Sequence, residues 1–369
     1  MPDPRIDKMA DVLVNYSTGV QPGDKAMISG SELAAPLLRA VYAKVLQAGG
    51  HPQLIVQLTD TQELFYRHAN DEQLAFLSEP MKLMTETYDV QIGINAAANT
   101  KELSGVDPSK QVKRSRATRE LMQTFMRRSA SGELRWCGTL YPTQAFAQYA
   151  GMSLSAYEDF VYGACMPDMD DPIGYWQRFS AWQAKIVDWL AGKREVHVTG
   201  PETDLRLSVA GRTFINSDGK HNMPSGEVFT GPVEDSAEGH VLFSYPAIFR
   251  GREVSGIRLW FEGGKVVKAT ADTNEELLLQ TLDTDAGSRF LGEFAIGTNA
   301  GITQFTKQIL FDEKIDGSFH LALGAGYPET GSVNESAIHW DMVCDMRDGG
   351  EIWVDGELLY KGGAFAIEF

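Results

Sequence analysis

Several side chains between residues 220 and 341 are of the types that bind divalent metals or stabilise developing charge. Four of the chain's seven histidines, His221, His240, His320 and His339, lie in this span. Carboxylates and imidazoles are the ligands that hold zinc, cobalt, manganese or iron in proteins. The span therefore predicts a metal site. Its candidate residues are Glu227, Glu293, Glu313, His320, Tyr327, His339 and Asp341.

The densest of these segments is His339-Trp340-Asp341, which is followed by the apolar pair Met342 and Val343. If the segment is a β-strand, side chains two residues apart point to the same face. His339 and Asp341 would then project side by side into one site, while Trp340 packs on the opposite face. This spacing is suited to two ligands of one ion.

Each of the other candidates, taken alone, also has a purely structural interpretation. Glu227 follows a turn fixed by Pro224 and Gly226, which would aim its carboxylate, but an exposed turn residue has the same pattern. Glu293 stands alone in a small, apolar run, either as a buried ligand or as an edge residue that faces water. His320 lies in an apolar, strand-like run, where a lone histidine is more often a core residue than a ligand.

Two further candidates are equally ambiguous alone. Glu313 by itself has the pattern of a surface acid, and Tyr327 lies in a glycine-rich turn where its phenol would donate to an oxyanion or simply pack. Together, however, three glutamates, two histidines and one aspartate are enough ligands for two divalent ions. No GxSxG elbow and no HExxH motif occurs, which argues against a serine hydrolase and a mononuclear zincin.

The N-terminal half must supply part of the scaffold, and its pattern is typical of an α/β domain. Strands are predicted at 25–29 and 52–58, with a helix between them that opens at Ser31 and Glu32 and stops at Gly49-Gly50. This βαβ unit predicts parallel strands. Further strands are predicted at 90–94 and 135–140, and further helices at 5–17, 71–86, 114–126, 144–149 and 172–191.

This half is expected to be a Rossmann-like parallel layer without a nucleotide site. Neither GxGxxG nor GxxxxGK[ST] is present, so the loops that cradle phosphates in nucleotide enzymes are missing. A scaffold, lid or dimerisation role is therefore expected for the layer.

The pattern changes near Arg194 to short alternating segments separated by turns. The clearest is 352–360, where Asp355-Gly356 between two apolar-alternating runs predicts a β-hairpin. Helical patterns return only at 274–282 and 303–311. We therefore predict two domains, an α/β scaffold over residues 1–193 and an α+β catalytic domain with antiparallel strands over residues 194–369.

Composition narrows the classes of partner. The net charge of -17 argues against nucleic acid and anionic membranes, and it favours cations and free amino groups. No run of 18 or more apolar residues and no signal peptide is present, so the cytoplasm is expected. Three widely spaced cysteines, Cys137, Cys165 and Cys344, form no CxxC pair, which fits a reducing compartment.

Taken in order, the candidate segments resemble the aminopeptidase T and aminopeptidase S family of metallopeptidases, which are leucyl aminopeptidase-like enzymes with a dinuclear metal site. The resemblance is specific over residues 220–345, and it is weaker but compatible over the N-terminal half. The segments that carry it are 222–230 (NMPSGEVFT), 291–293 (LGE), 311–313 (FDE), His320, 323–327 (LGAGY) and 339–341 (HWD).

The resemblance implies metal ligands and catalytic residues. Glu293 is expected to be the bridging carboxylate, Tyr327 a catalytic residue beside the metals, and Glu227 a proton acceptor as well as a ligand. Two divalent ions per chain are expected, zinc or cobalt first, with manganese or magnesium as alternatives. The implied ligands are Glu227, Glu293, Glu313, His320, His339 and Asp341.

The function that follows is a metallo-aminopeptidase, a hydrolase that removes N-terminal residues from peptides through a metal-activated water. Peptides with a free N-terminus are the expected partners, and the resemblance implies a homodimer. One alternative is an iron-dependent, ring-cleaving dioxygenase of the dihydroxypyridine type, with His320, His339 and Asp341 as the iron ligands. The other is a non-catalytic protein that binds metal or peptide.

Overall fold

The computed structural model describes residues 3–166, 168–249 and 251–369. The chain forms two compact units: Met1–Tyr175 with Gly219–Pro224, and Trp176–Asp218 with Ser225–Phe369. The predicted division into domains at residues 193 and 194 stays a prediction.

Helices are concentrated in the first half of the chain. A π-helical turn, Val12–Ser17, continues the first helix and completes the helix predicted at 5–17. The helices are, in chain order, α1 Pro4–Asp11, α2 Ala35–Gln47, α3 Thr61–His68, α4 Asp71–Ala75, α5 Glu79–Thr87, α6 Pro108–Ala130, α7 Gln144–Tyr149, α8 Leu154–Cys165, α9 Pro172–Leu190, α10 Glu275–Leu282 and α11 Ile309–Asp312.

Strands alternate with helices in the first half and dominate the second. The strands are, in chain order, β1 Lys25–Ser31, β2 His51–Gln57, β3 Val90–Asn95, β4 Arg135–Leu140, β5 Glu195–Gly200, β6 Thr203–Ser208, β7 Ile215–Ser217, β8 Asn222–Met223, β9 Glu227–Thr230, β10 Glu238–Leu242, β11 Ala247–Phe249, β12 Arg252–Val254, β13 Arg258–Glu262, β14 Lys265–Thr270, β15 Leu291–Gly297, β16 Ser318–Gly324, β17 His339–Asp345, β18 Glu351–Val354, β19 Glu357–Lys361 and β20 Ala364–Phe365.

The first unit is built on a parallel sheet in the order β2-β1-β3-β4-β8, which confirms the predicted α/β layer. Helix α2 connects β1 to β2 and buries an apolar stripe with the spacing expected of a helix that packs on one face. The predicted single helix at 71–86 is wrong. Ser78 and Pro80 begin a new helix there, because proline is favoured in a first helical turn but breaks a helix interior.

The second unit is built on antiparallel sheets, as predicted. One sheet has the order β14-β13-β10-β6-β5-β18-β19-β20, another the order β17-β16-β15-β9-β7, and β11 pairs with β12. The predicted hairpin is confirmed, because β18 and β19 flank Asp355 and Gly356, whose φ angles of 49° and 79° suit a tight hairpin turn.

A predicted helix at 303–311 is wrong. Only the short helix α11 forms there, and Lys307 has a φ angle of 65°, a left-handed conformation that cannot continue a helix. The carboxylate of Asp312 instead accepts hydrogen bonds from the backbone nitrogen and hydroxyl of Thr306, at 2.7 and 2.9 Å. These bonds fold the segment into a compact loop that leads to Glu313.

Among the described residues, no helix is both long and apolar enough to cross a membrane. The three cysteines are free and buried, so none forms a disulfide.

Candidate metal centre

One face of the sheet β17-β16-β15-β9-β7 carries five of the six predicted metal ligands. We call it the polar face. Residues that pair directly across neighbouring strands share a face. Each of the five lies opposite glycine or alanine on at least one neighbouring strand, so this small partner leaves room for the longer polar side chain. The pairs are Glu227 with Gly297, His320 with Ala295, Glu293 and Asp341 with Ala322, and His339 with Gly324.

The opposite face of the same strands is apolar and belongs to the core of the second unit. Trp340, between His339 and Asp341, points to this face, as predicted, and it packs on Phe249 with ring centroids 5.0 Å apart. This alternation holds the strands in register, because a slip of one residue would bury the polar side chains in the core. The core residues of this face are Val228, Phe294, Ile296, Phe319, Leu321, Leu323, Trp340 and Met342.

The sixth predicted ligand, Glu313, comes from the segment between β15 and β16, at the end of α11. The backbone of this segment lies against the start of the β15–β16 connection, where the Asn299 amide donates to the Lys314 carbonyl at 3.0 Å. Gly297 permits this approach, since a Cβ there would lie 2.1 Å from the Ile315 carbonyl oxygen. The close packing brings Glu313 to the polar face.

The side chains of the polar face contact one another directly. His320 Nε2 lies 3.6 Å from Glu227 Oε2 and 3.6 Å from Glu293 Oε1. His339 Nε2 lies 3.2 Å from Glu293 Oε2 and 3.3 Å from Asp341 Oδ1. Glu293 therefore lies between the two imidazoles, with one carboxylate oxygen toward each.

All six predicted ligands fall into overlapping groups whose ligand atoms lie within 4.8 Å of one another. Glu293, His320 and Asp341 each belong to two groups, so the groups form one continuous site. The groups are Glu227 with Glu293 and His320, Glu293 with His339 and Asp341, and Glu313 with His320 and Asp341.

Burial and mutual contact set the charges of the carboxylates. Burial raises the pKa of Glu227, and it raises the pKa of Glu313 to about 8. Burial also opposes ionisation of Glu293 and Asp341, but the adjacent histidines outweigh it, so the pKa of Glu293 is lowered and that of Asp341 falls to about 2.

The same contacts favour the charged form of both histidines in the absence of metal. Burial alone would lower the pKa of His320, but the carboxylates around it, Glu293 first, raise that pKa to about 9. The pKa of His339 is raised well above its usual value by Asp341 and Glu293, also against the effect of burial. Protons thus occupy the positions where cations would bind.

The donor set fits divalent metal ions. Four carboxylates face three cationic side chains, those of His320, His339 and the buried Lys314, so one negative charge is left over unless a proton or a metal ion compensates it. Within the described chain, the buried atoms Glu227 Oε2, Asp341 Oδ1 and His320 Nδ1 make no hydrogen bond. Buried polar atoms normally have hydrogen-bond partners, so buried carboxylate oxygens that lack one beside the imidazoles are consistent with a cation site. The mixture of imidazole and carboxylate matches zinc, cobalt or manganese.

Tyr327 lies beside this site, at the start of the turn that follows β16. Its ring is edge-on to His339, with centroids 5.2 Å apart, and edge-on to Phe229 at 5.5 Å. Burial, together with the carboxylates of Glu293 and Asp341, raises the pKa of the phenol far above its usual value. The hydroxyl therefore stays protonated and can donate a hydrogen bond.

Two site residues were not predicted from the sequence. Lys314 is fully buried and forms an ion pair with Glu313, and its Nζ lies 3.7 Å from Glu227 Oε1. Gln183, in α9, is also fully buried and donates to the Glu227 carbonyl at 3.0 Å and to Thr298 Oγ1 at 3.2 Å. The sequence Asp312-Glu313-Lys314 has the pattern of an exposed turn, and Gln183 is remote from the other site residues in sequence. Neither residue could therefore be recognised as part of the site from the sequence.

Comparison with known proteins identifies the family. A family model described as thermophilic metalloprotease (M29) matches residues 2–365. Aminopeptidase 2 of Geobacillus stearothermophilus is 28% identical over 98% of both chains. In fold, wild-type AmpT from Thermus thermophilus superposes with a TM-score of 0.86 at 22% identity, covering 99% of each chain. A 2,5-dihydroxypyridine dioxygenase from Pseudomonas putida superposes with a TM-score of 0.60 at 14% identity, covering 98% of this chain and 97% of that one. The chain therefore belongs to the thermophilic metalloprotease (M29) family of aminopeptidases.

Proposed function

We propose that the polar face and Glu313 together bind two divalent metal ions, and that the chain uses them to hydrolyse the N-terminal residue of peptides. The observation that carries this proposal is the set of overlapping ligand groups, which holds enough donors for two ions at one continuous site. Zinc or cobalt is the expected metal, with manganese or magnesium as alternatives. The proposed ligands are Glu227, Glu293, Glu313, His320, His339 and Asp341.

When bound, two divalent cations would polarise the scissile carbonyl and lower the pKa of an attacking water. Glu227 is proposed to accept a proton, because burial raises the pKa of its carboxyl group above the usual value and so makes it a stronger base. Tyr327 is proposed to donate a hydrogen bond to the oxygen of the scissile carbonyl as negative charge develops on it. Glu293 is proposed to be the bridging ligand, which agrees with its position between the two imidazoles.

Peptides with a free N-terminus are the proposed substrates. Relatives of this chain are named aminopeptidases, and enzymes of that class act on peptides whose α-amine is free. A homodimer and a cytoplasmic location stay predictions from the sequence and from the family resemblance.

The iron-dependent dioxygenase is the second candidate, and the similar fold of the Pseudomonas enzyme is its only support. A mononuclear iron site of that kind needs two histidines and one carboxylate around one ion. Among the described residues, each of the three ligand groups contains a single histidine, which supports binding of His320 and His339 to different ions. This arrangement favours the dinuclear hydrolase.

The test is hydrolysis of a leucyl anilide, with and without an acetyl cap on its amine, after reconstitution with cobalt or zinc. We expect cleavage of the uncapped substrate alone, and loss of cleavage on chelation. Cleavage of neither substrate with any divalent metal, together with oxygen consumption on a dihydroxypyridine after iron loading, would support the dioxygenase instead. Metal binding without turnover of either kind would support a non-catalytic protein.

A further inference from the structure

Lys314 is unusual among the lysines of this chain because its side chain is fully buried. Within the part of the chain that the structure describes, it is the one lysine that is buried from solvent. A lysine is almost never fully buried unless its ammonium group is paired. The position therefore calls for a specific role.

The partners of the ammonium group are two proposed metal ligands. Lys314 Nζ forms a close ion pair with Glu313 Oε1 and lies 3.7 Å from Glu227 Oε1. Burial alone would lower the pKa of Lys314, but the charges of Glu227 and Glu313 outweigh this effect and raise that pKa to about 12. The buried ammonium group is therefore enclosed by two carboxylates and pairs with both of them.

The backbone of Lys314 is as firmly held as its side chain. Its carbonyl accepts from the Asn299 amide at 3.0 Å, and its own amide donates to the Phe311 carbonyl at 2.9 Å. These two bonds hold the backbone from which the side chain of Lys314 reaches the two carboxylates.

The charge of Lys314 also matters for the site as a whole. Four carboxylates would balance the charge of two divalent cations, so the ammonium would leave the loaded site with one positive charge in excess. Such a site favours an anion, and negative charge develops on the carbonyl oxygen during peptide hydrolysis. Without metal, the same ammonium is one of the few charges that compensate Glu227 and Glu313.

We propose that Lys314 is a positioning residue, an internal cation that holds Glu227 and Glu313 in place for metal before any metal is bound. This inference rests on the proposed metal site. An ordinary structural lysine would stabilise the metal-free and the metal-loaded protein equally. An internal counter-ion instead matters most when metal is absent, because divalent ions compensate the same two carboxylates.

The test compares Lys314→Met with the wild type by thermal unfolding, in chelator and with saturating zinc or cobalt. In chelator we expect the Tm of the second unit to fall by about 10 °C, because removing one partner leaves buried carboxylates uncompensated. With zinc or cobalt we expect at least half of that loss to be recovered. Lys361→Met, which removes an exposed lysine paired with Glu351, is the matched control and should leave both Tm values unchanged.

An equal loss of Tm in both states, or no loss in chelator, would overturn the role proposed for Lys314. If Lys314→Met folds in neither state, Lys314→Gln, which keeps an N–H donor without the charge, is measured in the same way and decides the question. If metal does not raise the Tm of the wild type, the proposed metal site fails, and the role of Lys314 fails with it. A wild type that metal stabilises, with equal losses in the variant, contradicts only the role of Lys314.

Discussion

At the scale of single residues, Glu313 and His320 hold protons more tightly than usual when no metal is bound. Glu313 has a pKa raised by burial to about 8, and His320 has a pKa raised to about 9 despite its burial, by the carboxylates around it. Metal ligands must lose their protons to bind, so metal binding and proton release are coupled at these positions. The coupling has a measurable consequence for stability.

We expect the metal-free protein to lose stability as pH rises from about 6 to 9. The pKa of His320 in the folded protein lies above its usual 6.5. Its contribution to the free energy of unfolding is therefore complete below pH 6.5 and is lost as pH rises through about 9. Glu313 also binds its proton more tightly when folded, so ionising it between its usual 4.5 and about 8 costs stability. Asp341, whose pKa falls to about 2, stays ionised throughout this range.

The measurement is Tm against pH, in chelator and in saturating zinc. In chelator we expect a decrease of at least about 5 °C between pH 6 and 9. With zinc the decrease in Tm with pH should be smaller, since the ions replace these protons. Part of the decrease should remain, because burial also raises the pKa of Asp312, which is outside the ligand set, to about 7. A Tm in chelator that is constant or rises over this range would contradict the assignment of charges.

At the scale of elements, the turn that carries Tyr327 is held by a partly buried ion pair. Glu234 accepts from the Val333 amide at 2.7 Å and from Ser332 Oγ at 3.2 Å, and it pairs with Arg212 at 2.5 Å. These contacts hold Ser332 and Val333, at the end of the turn that is farther along the chain from β16. The orientation of the phenol thus depends on a carboxylate that does not reach the metal ligands.

We expect Glu234→Gln to lower kcat about tenfold while KM and the metal content change little. The substitution weakens the pairing with Arg212 and loosens the turn, and small displacements of a group that acts in the transition state lower kcat more than KM. Glu195→Gln, which removes an exposed pair with Arg206, is the control and should be neutral. Loss of metal from Glu234→Gln would show that the ion pair supports the ligands rather than Tyr327.

The sequence predicts much of this site because strands impose a period of two. The strand at His339-Trp340-Asp341 and its division of faces are confirmed, and His320 lies in a strand as predicted. Glu293, for which the sequence left open a buried or a water-facing edge position, is buried within β15, which continues to Gly297.

What the sequence cannot predict is contact between segments far apart in the chain. Lys314 has a local pattern that indicates an exposed turn, and its burial follows only from the packing of its segment against Asn299. The helix predicted at 303–311 fails for a related reason, since the side chain of Asp312 bonds to Thr306 and stabilises a loop against helical propensity.

At the scale of the whole molecule, every proposed metal ligand lies in the second unit, on strands of one sheet and on the segment that joins two of them. The first unit supplies a parallel sheet, as expected from the sequence. The proposed chemistry therefore depends on the number of ions that the second unit retains.

The most direct test is the number of metal ions per chain, measured by elemental analysis after zinc or cobalt reconstitution and removal of free metal. We expect two ions in the wild type and in the control His240→Ala, whose histidine lies outside the ligand groups. His339→Ala should lose at least one ion and essentially all hydrolysis of an uncapped leucyl anilide while remaining folded by circular dichroism. A wild type that binds one ion or none, or a His339→Ala protein that keeps two ions and full activity, would contradict the proposed dinuclear site.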